Sequence, residues 1–437
     1  MKKKFLFIVS ILITAFNSFA QETKDIQAVD SGDTSWLLIS SALIMMMTAP
    51  ALAFFYGGLV KRKNILNILM QCFVALSVIS ILWITIGYTL SFSPKELIPG
   101  FIGNFDWAFL NKVDMNPSSI YGKTVPHLAF MIFQGMFAVI TPALIIGAFA
   151  ERMKFSSYIV FIIAWTILVY FPVTHWIWSA NGWLNKLGVL DFAGGIVVHV
   201  NAGIAALVTA IVIGKRNNLK STNPHNLPFT MLGAALLWFG WFGFNAGSAL
   251  ISGGLAANAF VVTNSAAAIA VIVWALLDWI IVKKPTMLGS ATGAIAGLAA
   301  ITPAAGYVDI KGALIIGAVS SLLCYFMVVL IKPKFGYDDA LDAFGVHGVG
   351  GIIGSLFVGL FATSTIQAGY NGLFFGNPKQ FLLQLLGVGV TLVYSLILTF
   401  VIIKLIDITM GLRIKNKDEL VGLDVTQHNE RGYTLIE

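Results

Sequence analysis

The sequence predicts an all-α, polytopic membrane protein, and three observations carry that prediction. Hydrophobic residues make up 58% of the 437-residue chain and charged residues only 11%, where a soluble domain carries about 25% charged residues. Apolar runs of about 20 residues, the length that crosses a hydrocarbon core, recur along the chain between short charged or Gly/Pro/Asn-rich stretches. Lys and Arg gather in alternate connecting segments, the bias that sets orientation in a bilayer. The net charge of +7 therefore reflects topology and not nucleic-acid affinity.

Residues 1–20 read as a cleavable signal peptide. Lys2, Lys3 and Lys4 form a basic start, Phe5–Ile13 an apolar core, and Ser18-Phe19-Ala20 a small-x-small cleavage site. The competing reading, an extra membrane helix, meets a run shorter than the roughly 20 residues required. The mature chain then begins near Gln21. Eleven spans follow, near 34–60, 65–92, 126–149, 155–179, 193–214, 227–251, 258–282, 288–305, 311–331, 343–365 and 380–407, so that 21–407 is one transmembrane domain and 408–437 a tail. The loop 93–125 and the tail are too short for a separate soluble domain. Cys72 and Cys324 lie within apolar spans, which predicts free thiols.

Of the 27 basic residues, the larger share falls in one set of segments: Lys61–Lys63, Arg152 and Lys154, Lys215 with Arg216 and Lys220, Lys283 and Lys284, Lys332 and Lys334, and the tail. That set is expected to be cytoplasmic, which places the mature N-terminus outside and the C-terminus inside.

Two histidines interrupt this apolar pattern. In "DFAGGIVVHVNAG" Asp191 precedes His199 by eight residues, and in "DDALDAFGVHGVGG" Asp339 precedes His347 by eight. His199 falls in the fifth span and His347 in the tenth, so the two units enter from opposite sides. An inverted five-plus-five repeat has this form, with its site near the midplane. Intramembrane ionisable groups are functional candidates by default, although a lone buried histidine is often a packing residue. Burial favours neutral rings, each with one N–H donor and one acceptor nitrogen. Two such rings in contact can share a hydrogen bond and suit a small hydrogen-bonding solute or a moving proton. The aspartates, at helix starts, read first as caps, with Asp191 also able to shape an outer cation site.

From Asp191 to Arg216 the sequence resembles the ammonium transporter (Amt/Mep/Rh) family, on its Amt side. The resemblance continues in "AFFYGGLVKRKN", "FQGMFAVITPALIIGAFAERMKFS", "PHNLPFTMLGAALLWFGWFGFNAGSA", "DAFGVHGVGGIIG" and "GLDVTQHNERGY", almost the whole mature chain. It implies an eleven-helix fold with an inverted repeat, a homotrimer with one pathway per subunit, and ammonium or ammonia as substrate, with no cofactor or metal. By resemblance Phe137 and Phe244 match a phenyl gate, and Phe137, Trp178 and Ser248 an outer recruitment site. His199 and His347 match the paired pore histidines, and Asp191 the family aspartate of the outer vestibule; Asp339 occupies the equivalent place in the second half. Phe55 and Tyr56 fall where the family has aromatics towards the inner exit. The family tail couples subunits and answers to cytosolic PII signal proteins. Here it reads "HNE" for the commoner "HGE", followed by Arg431, which puts that regulation in question.

The residue types suit that substrate. Aromatic faces attract a cation by about 0.5–2 kcal/mol, a serine hydroxyl accepts a hydrogen bond, and a narrow apolar passage excludes a bare charge. Ammonium can shed its charge with a proton and K⁺ cannot. Other classes stay open. An intramembrane serine hydrolase would use Ser248 or Ser355, but the sequence has neither a G-x-S-x-G elbow nor an H-E-x-x-H pair. An ammonium sensor with low flux would need a partner for output, and a Rh-like gas channel would pass ammonia alone. A Na⁺ symporter would need oxygen-rich coordination at broken helices, for which Asp278 is the least easily assigned acid.

Overall fold

A backbone surrounded by lipid must satisfy its own N–H and C=O groups, and a chain without closed strand pairing does so by forming helices. The computed structural model describes residues 28–217 and 223–433; the expected signal peptide lies outside the described residues. Among the described residues, ten helices are long and apolar enough to span: α1 Ser31–Leu59, α2 Arg62–Phe92, α3 His127–Phe149, α4 Phe155–Leu187, α5 Gly195–Ile213, α6 Leu227–Ala249, α7 Gly254–Ile281, α9 Ile310–Phe335, α10 Phe344–Phe361 and α11 Pro378–Met410. Between α7 and α9 lies α8, Met287–Ile301. At about 1.5 Å per residue, α8 falls short of a bilayer. Its residues from Ala291 to Ile301 are all buried in protein, where an incomplete span is tolerated.

The bundle has a clear inside. The apolar stretches of α3 and α5 are 89% and 83% buried in protein, whereas those of α7, α9 and α11 are only 33%, 33% and 39% buried. Helices α4 and α9 each contain a wide, π-type turn, at Thr166–Tyr170 and Phe326–Ile331. Helices α5 and α10 each begin on one, at Gly195–Val200 and Phe344–Gly348. α1 and α2 also contain such turns, at Met47–Leu52 and Trp83–Gly87, so the α4/α9 and α5/α10 pairs recur five helices apart and these two do not. Cys72 and Cys324 are free and buried.

The helix ends form two faces. One is loop-rich and carries a small antiparallel hairpin, β1 Glu96–Ile98 with β2 Ile102–Gly103. There Asp33 of α1 accepts from Thr124 Oγ1 at 2.6 Å and from the Ser252 amide at 2.7 Å, tying three segments together. The opposite, basic face is joined by a buried ionic network. Arg216 grips Asp338 through Nε at 2.9 Å and Nη2 at 2.8 Å, and reaches Glu151 through Nη1 at 2.7 Å. Glu151 also accepts from the Lys61 amide and Asn64 Nδ2. Arg152, fully buried, donates to the carbonyls of Ala148, Ala150, Gly214 and Asp338. The sequence reading took Arg152 and Arg216 only as orientation markers. Their pairing holds the α1–α2, α3–α4, α5–α6 and α9–α10 connections together.

The tail packs on this face as two short helices, α12 Asn416–Val421 and α13 Leu423–His428. Asp424 accepts from the Asn67 amide at 2.9 Å, and the Leu423 amide donates to Asn64 Oδ1 at 2.8 Å. Asn429, the residue that departs from the family's glycine, sits at φ 55°, ψ 33°. Asparagine tolerates that left-handed conformation better than other side chains, so the substitution preserves the helix ending. Asp278 also finds a structural place: its Oδ2 accepts from Thr286 Oγ1 at 2.6 Å and closes the α7–α8 turn.

Removing one partner from a buried charged network leaves the others uncompensated, at a cost of about 3–5 kcal/mol. Arg216→Ala should therefore lower the thermal unfolding midpoint in detergent markedly, whereas Lys417→Ala on the exposed tail should leave it unchanged.

Candidate functional site

The two histidines are placed by their aspartates and by glycine. Asp191 accepts four backbone N–H groups at the start of α5, from Gly194 at 2.9 Å, Gly195 at 2.6 Å, Ile196 at 2.8 Å and Val197 at 2.9 Å. Asp339 accepts two at the start of α10, from Ala343 at 3.1 Å and Phe344 at 2.8 Å. Each carboxylate thus satisfies the amides a helix start leaves without partners and fixes the turn that carries the imidazole. Where α5 and α10 meet, a methyl group on Gly203 would collide with the backbone of Gly348, and one on Gly351 would lie 2.8 Å from His199 Cβ. Only hydrogen at these positions lets the helices approach this closely.

The result is a pair of imidazoles with centroids 5.2 Å apart and planes 12° from parallel. His199 is 1% exposed and His347 4%. The shared hydrogen bond that two touching rings could make is not formed in this placement. Among the described residues, both nitrogens of His199 and Nδ1 of His347 have no hydrogen-bond partner. Other buried polar atoms, such as Thr48 Oγ1 and Ser355 Oγ, also lack a partner, but these three nitrogens are set apart by sitting on two facing rings that border a cavity.

An aromatic column leads to them from the loop-rich face. Trp178 meets Phe137 edge to face at 5.4 Å, Phe137 meets Phe244 at 4.4 Å, and Phe244 meets His199 at 5.9 Å. Trp178 Nε1 donates to the Asp191 carbonyl at 2.8 Å, which aims its ring. Ser248 Oγ donates to the Phe244 carbonyl at 2.9 Å, keeping its lone pairs for another group. That serine is not bonded to a histidine, and Ser355 Oγ has no partner, so neither serine is paired with a base as a nucleophile requires.

Below the phenyl pair, a cavity of about 10 Å³ touches both histidines and is walled by Leu144, Leu237, Trp241 and Phe244. It is just large enough for one water-sized solute. Phe55, Ile295 and His347 are shared with a second cavity of about 160 Å³ towards the basic face, which Tyr56 and Asp342 also line. Sequence reading missed Trp241, whose ring lies 5.5 Å from His199, nearly parallel. The usable signal was position: Trp241 stands three residues before Phe244, one helical turn away. Tyr56 donates to the Leu144 carbonyl at 3.0 Å, bracing the wall of the small cavity.

Replacing Gly203 by Val should drive α5 and α10 apart. Overpacking costs about 1–3 kcal/mol, so a lower unfolding midpoint is expected, whereas Ala at Gly389, where a methyl group meets open space, should have no such effect.

Comparison with known proteins agrees with this architecture. The model of the Ammonium Transporter Family matches residues 35–433. An ammonium transporter of Bacillus subtilis is 50% identical over 403 residues, covering 92% of this chain and 98% of that protein. The ammonium transporter Amt1 of Archaeoglobus fulgidus is 47% identical, covering 93% and 100%. Among solved structures, Saccharomyces cerevisiae Mep2 superposes with a TM-score of 0.83 at 35% identity, over 91% of this chain and 93% of that one. A protein described as Sensor Amt Protein does so with a TM-score of 0.83 at 29% identity, over 91% and 98%. A family match that runs across the whole helical bundle, with relatives matched over almost their full length, makes this chain a member of the ammonium transporter family.

Proposed function

We propose that this protein moves ammonium across the cytoplasmic membrane by collecting the ion, removing its proton and passing ammonia between the two histidines. The observation that carries the reading is the set of orphaned imidazole nitrogens at the end of an aromatic column. Trp178 and Phe137 offer faces to a cation, worth about 0.5–2 kcal/mol, and Ser248 offers a lone pair. Phe137 and Phe244 then close the passage. A bare ion beyond them would lose its hydration at a cost of several kcal/mol or more, whereas ammonia loses little. His199 and His347 replace part of its hydration with hydrogen bonds, and they can relay the proton. Asp191 and Asp339 hold the two helix starts in place.

In this reading the loop-rich face is outside and the basic face cytoplasmic, in accord with the distribution of Lys and Arg. Residues 1–20 are removed as a signal peptide, 21–407 form the transport domain, and 408–437 form a regulatory tail. The protein works as a homotrimer in the inner membrane, and the tail, whose α13 keeps its left-handed ending at Asn429, is a docking place for a PII-type signal protein. A second reading, an ammonium sensor with low flux, is favoured by the likeness to the protein described as a sensor.

The test is the ammonium-evoked current in proteoliposomes, with K⁺ as control. The wild-type current is expected to saturate, to be absent with K⁺, and in His199→Ala and His347→Ala to fall by about a hundredfold or to become K⁺-permeable. Ammonia flux measured by internal pH without any wild-type current would replace this mechanism with that of a gas channel, and neither signal would favour the sensor.

A further inference from the structure

Beneath the loop-rich face a second pair of ionisable groups is buried and takes no part in the column. His175 lies on α4 one turn before Trp178, with no exposed side-chain surface, and its partner Glu96 of β1 is 14% exposed. The ring's Nδ1 lies 2.9 Å from the Ser91 carbonyl oxygen, and Nε2 lies 2.9 Å from Glu96 Oε1. A carbonyl oxygen only accepts, so Nδ1 carries a proton. A neutral ring has just one N–H, which would leave Nε2 facing a carboxylate lone pair against lone pair. A further proton between Nε2 and Oε1 removes the conflict, whether it resides on nitrogen or on oxygen.

We propose that Glu96 and His175 hold this shared proton as a clasp that fastens the hairpin to the end of α4 and so positions Trp178. The same carboxylate oxygen accepts the Gly100 amide at 2.8 Å, which shapes the hairpin turn. Around the clasp, Trp176 Nε1 donates to the Phe101 carbonyl at 3.0 Å, Asn181 Nδ2 to the Pro94 carbonyl at 2.6 Å, and the Trp183 amide to the Gly100 carbonyl at 3.2 Å. These bonds straddle Trp178 on both sides, so the hairpin and the recruiting indole move as one piece. Other titratable groups on the elements packed around the pair have partners of their own. Lys95 is paired with Asp106, and Tyr88 is bonded to His127. Tyr121 is bonded to Ser179, and Asp191 to its helix amides. Tyr394 donates to the Leu168 carbonyl.

His175 and Glu96 are thus positioning residues for recruitment, an inference that rests on the role assigned to Trp178 under the proposed function.

The experiment is amide hydrogen exchange over residues 95–104 of the full chain in liposomes, expressed as protection factors and compared between wild type, His175→Gln and His175→Ala. The Gln amide can still donate to Glu96, so its protection should stay near that of the wild type, whereas in His175→Ala, which removes that donor, protection should fall about tenfold. Should His175→Ala not fold, Glu96→Ala breaks the same link from the other side. Wild-type protection in His175→Ala, or an equal loss in both His175 variants, overturns the clasp. The half-saturating ammonium-ion concentration, read from the current, should rise about threefold in His175→Ala and not in His175→Gln. If protection responds and half-saturation does not, the clasp is upheld as an anchor, its positioning of recruitment is overturned, and the role given to Trp178 fails separately.

Discussion

Everything at the centre of this molecule depends on how closely α5 and α10 approach. Two helices bearing ordinary side chains stand 8–10 Å apart, and at that distance each histidine would meet its own lining and not the other. Glycine at 203, 348 and 351 removes the obstruction, and the rings come within contact of one another. In lipid no hydrophobic force draws helices together, so small residues and packing must do it. The aspartate at each helix start then fixes rotation and depth. Proximity comes from glycine and orientation from carboxylate, two devices that the sequence repeats in each half.

Much of this was legible in the chain itself. Length and hydropathy place the ten spanning helices and α8, most of them to within four residues at each end, because a bilayer sets a minimum length of apolar run. The Asp–His spacing of eight residues, met twice, pointed to the central pair. What the sequence did not convey was the relation between side chains on distant segments. Trp241 beside His199, the grip of Arg216 on Asp338 and the bond from Asp278 to Thr286 depend on which helices become neighbours, and periodicity is silent on that. α8 was taken for an ordinary span because its composition is that of one. Its shortness is permissible only because protein surrounds it from Ala291 to Ile301, a property of the assembled bundle. The expected bond between the two imidazoles was chemically sound but is not made, since its formation depends on ring placement finer than any spacing argument.

The two faces are built on different principles. The basic face is joined by buried charges, Arg152, Arg216, Glu151 and Asp338, with the tail packed across them. Its rigidity is electrostatic, and breaking one link strands several others. The loop-rich face is held by neutral and charge-assisted hydrogen bonds from short loops, with aromatic contacts such as Phe101 against Trp183 at 5.9 Å. A face of this second kind can adjust locally, where the first can move only as a block. The column of Trp178, Phe137 and Phe244 hangs from the adjustable side, and the wide cavity beside Tyr56 opens towards the rigid one.

The smallness of the cavity beside the histidines has a consequence for traffic. A chamber of about 10 Å³ holds one solute at a time, so particles travelling in opposite directions cannot pass each other. On the pathway proposed above, movement through this chamber is single file, so the one-way fluxes in the two directions are coupled and a high concentration on the far side obstructs arrivals from the near side.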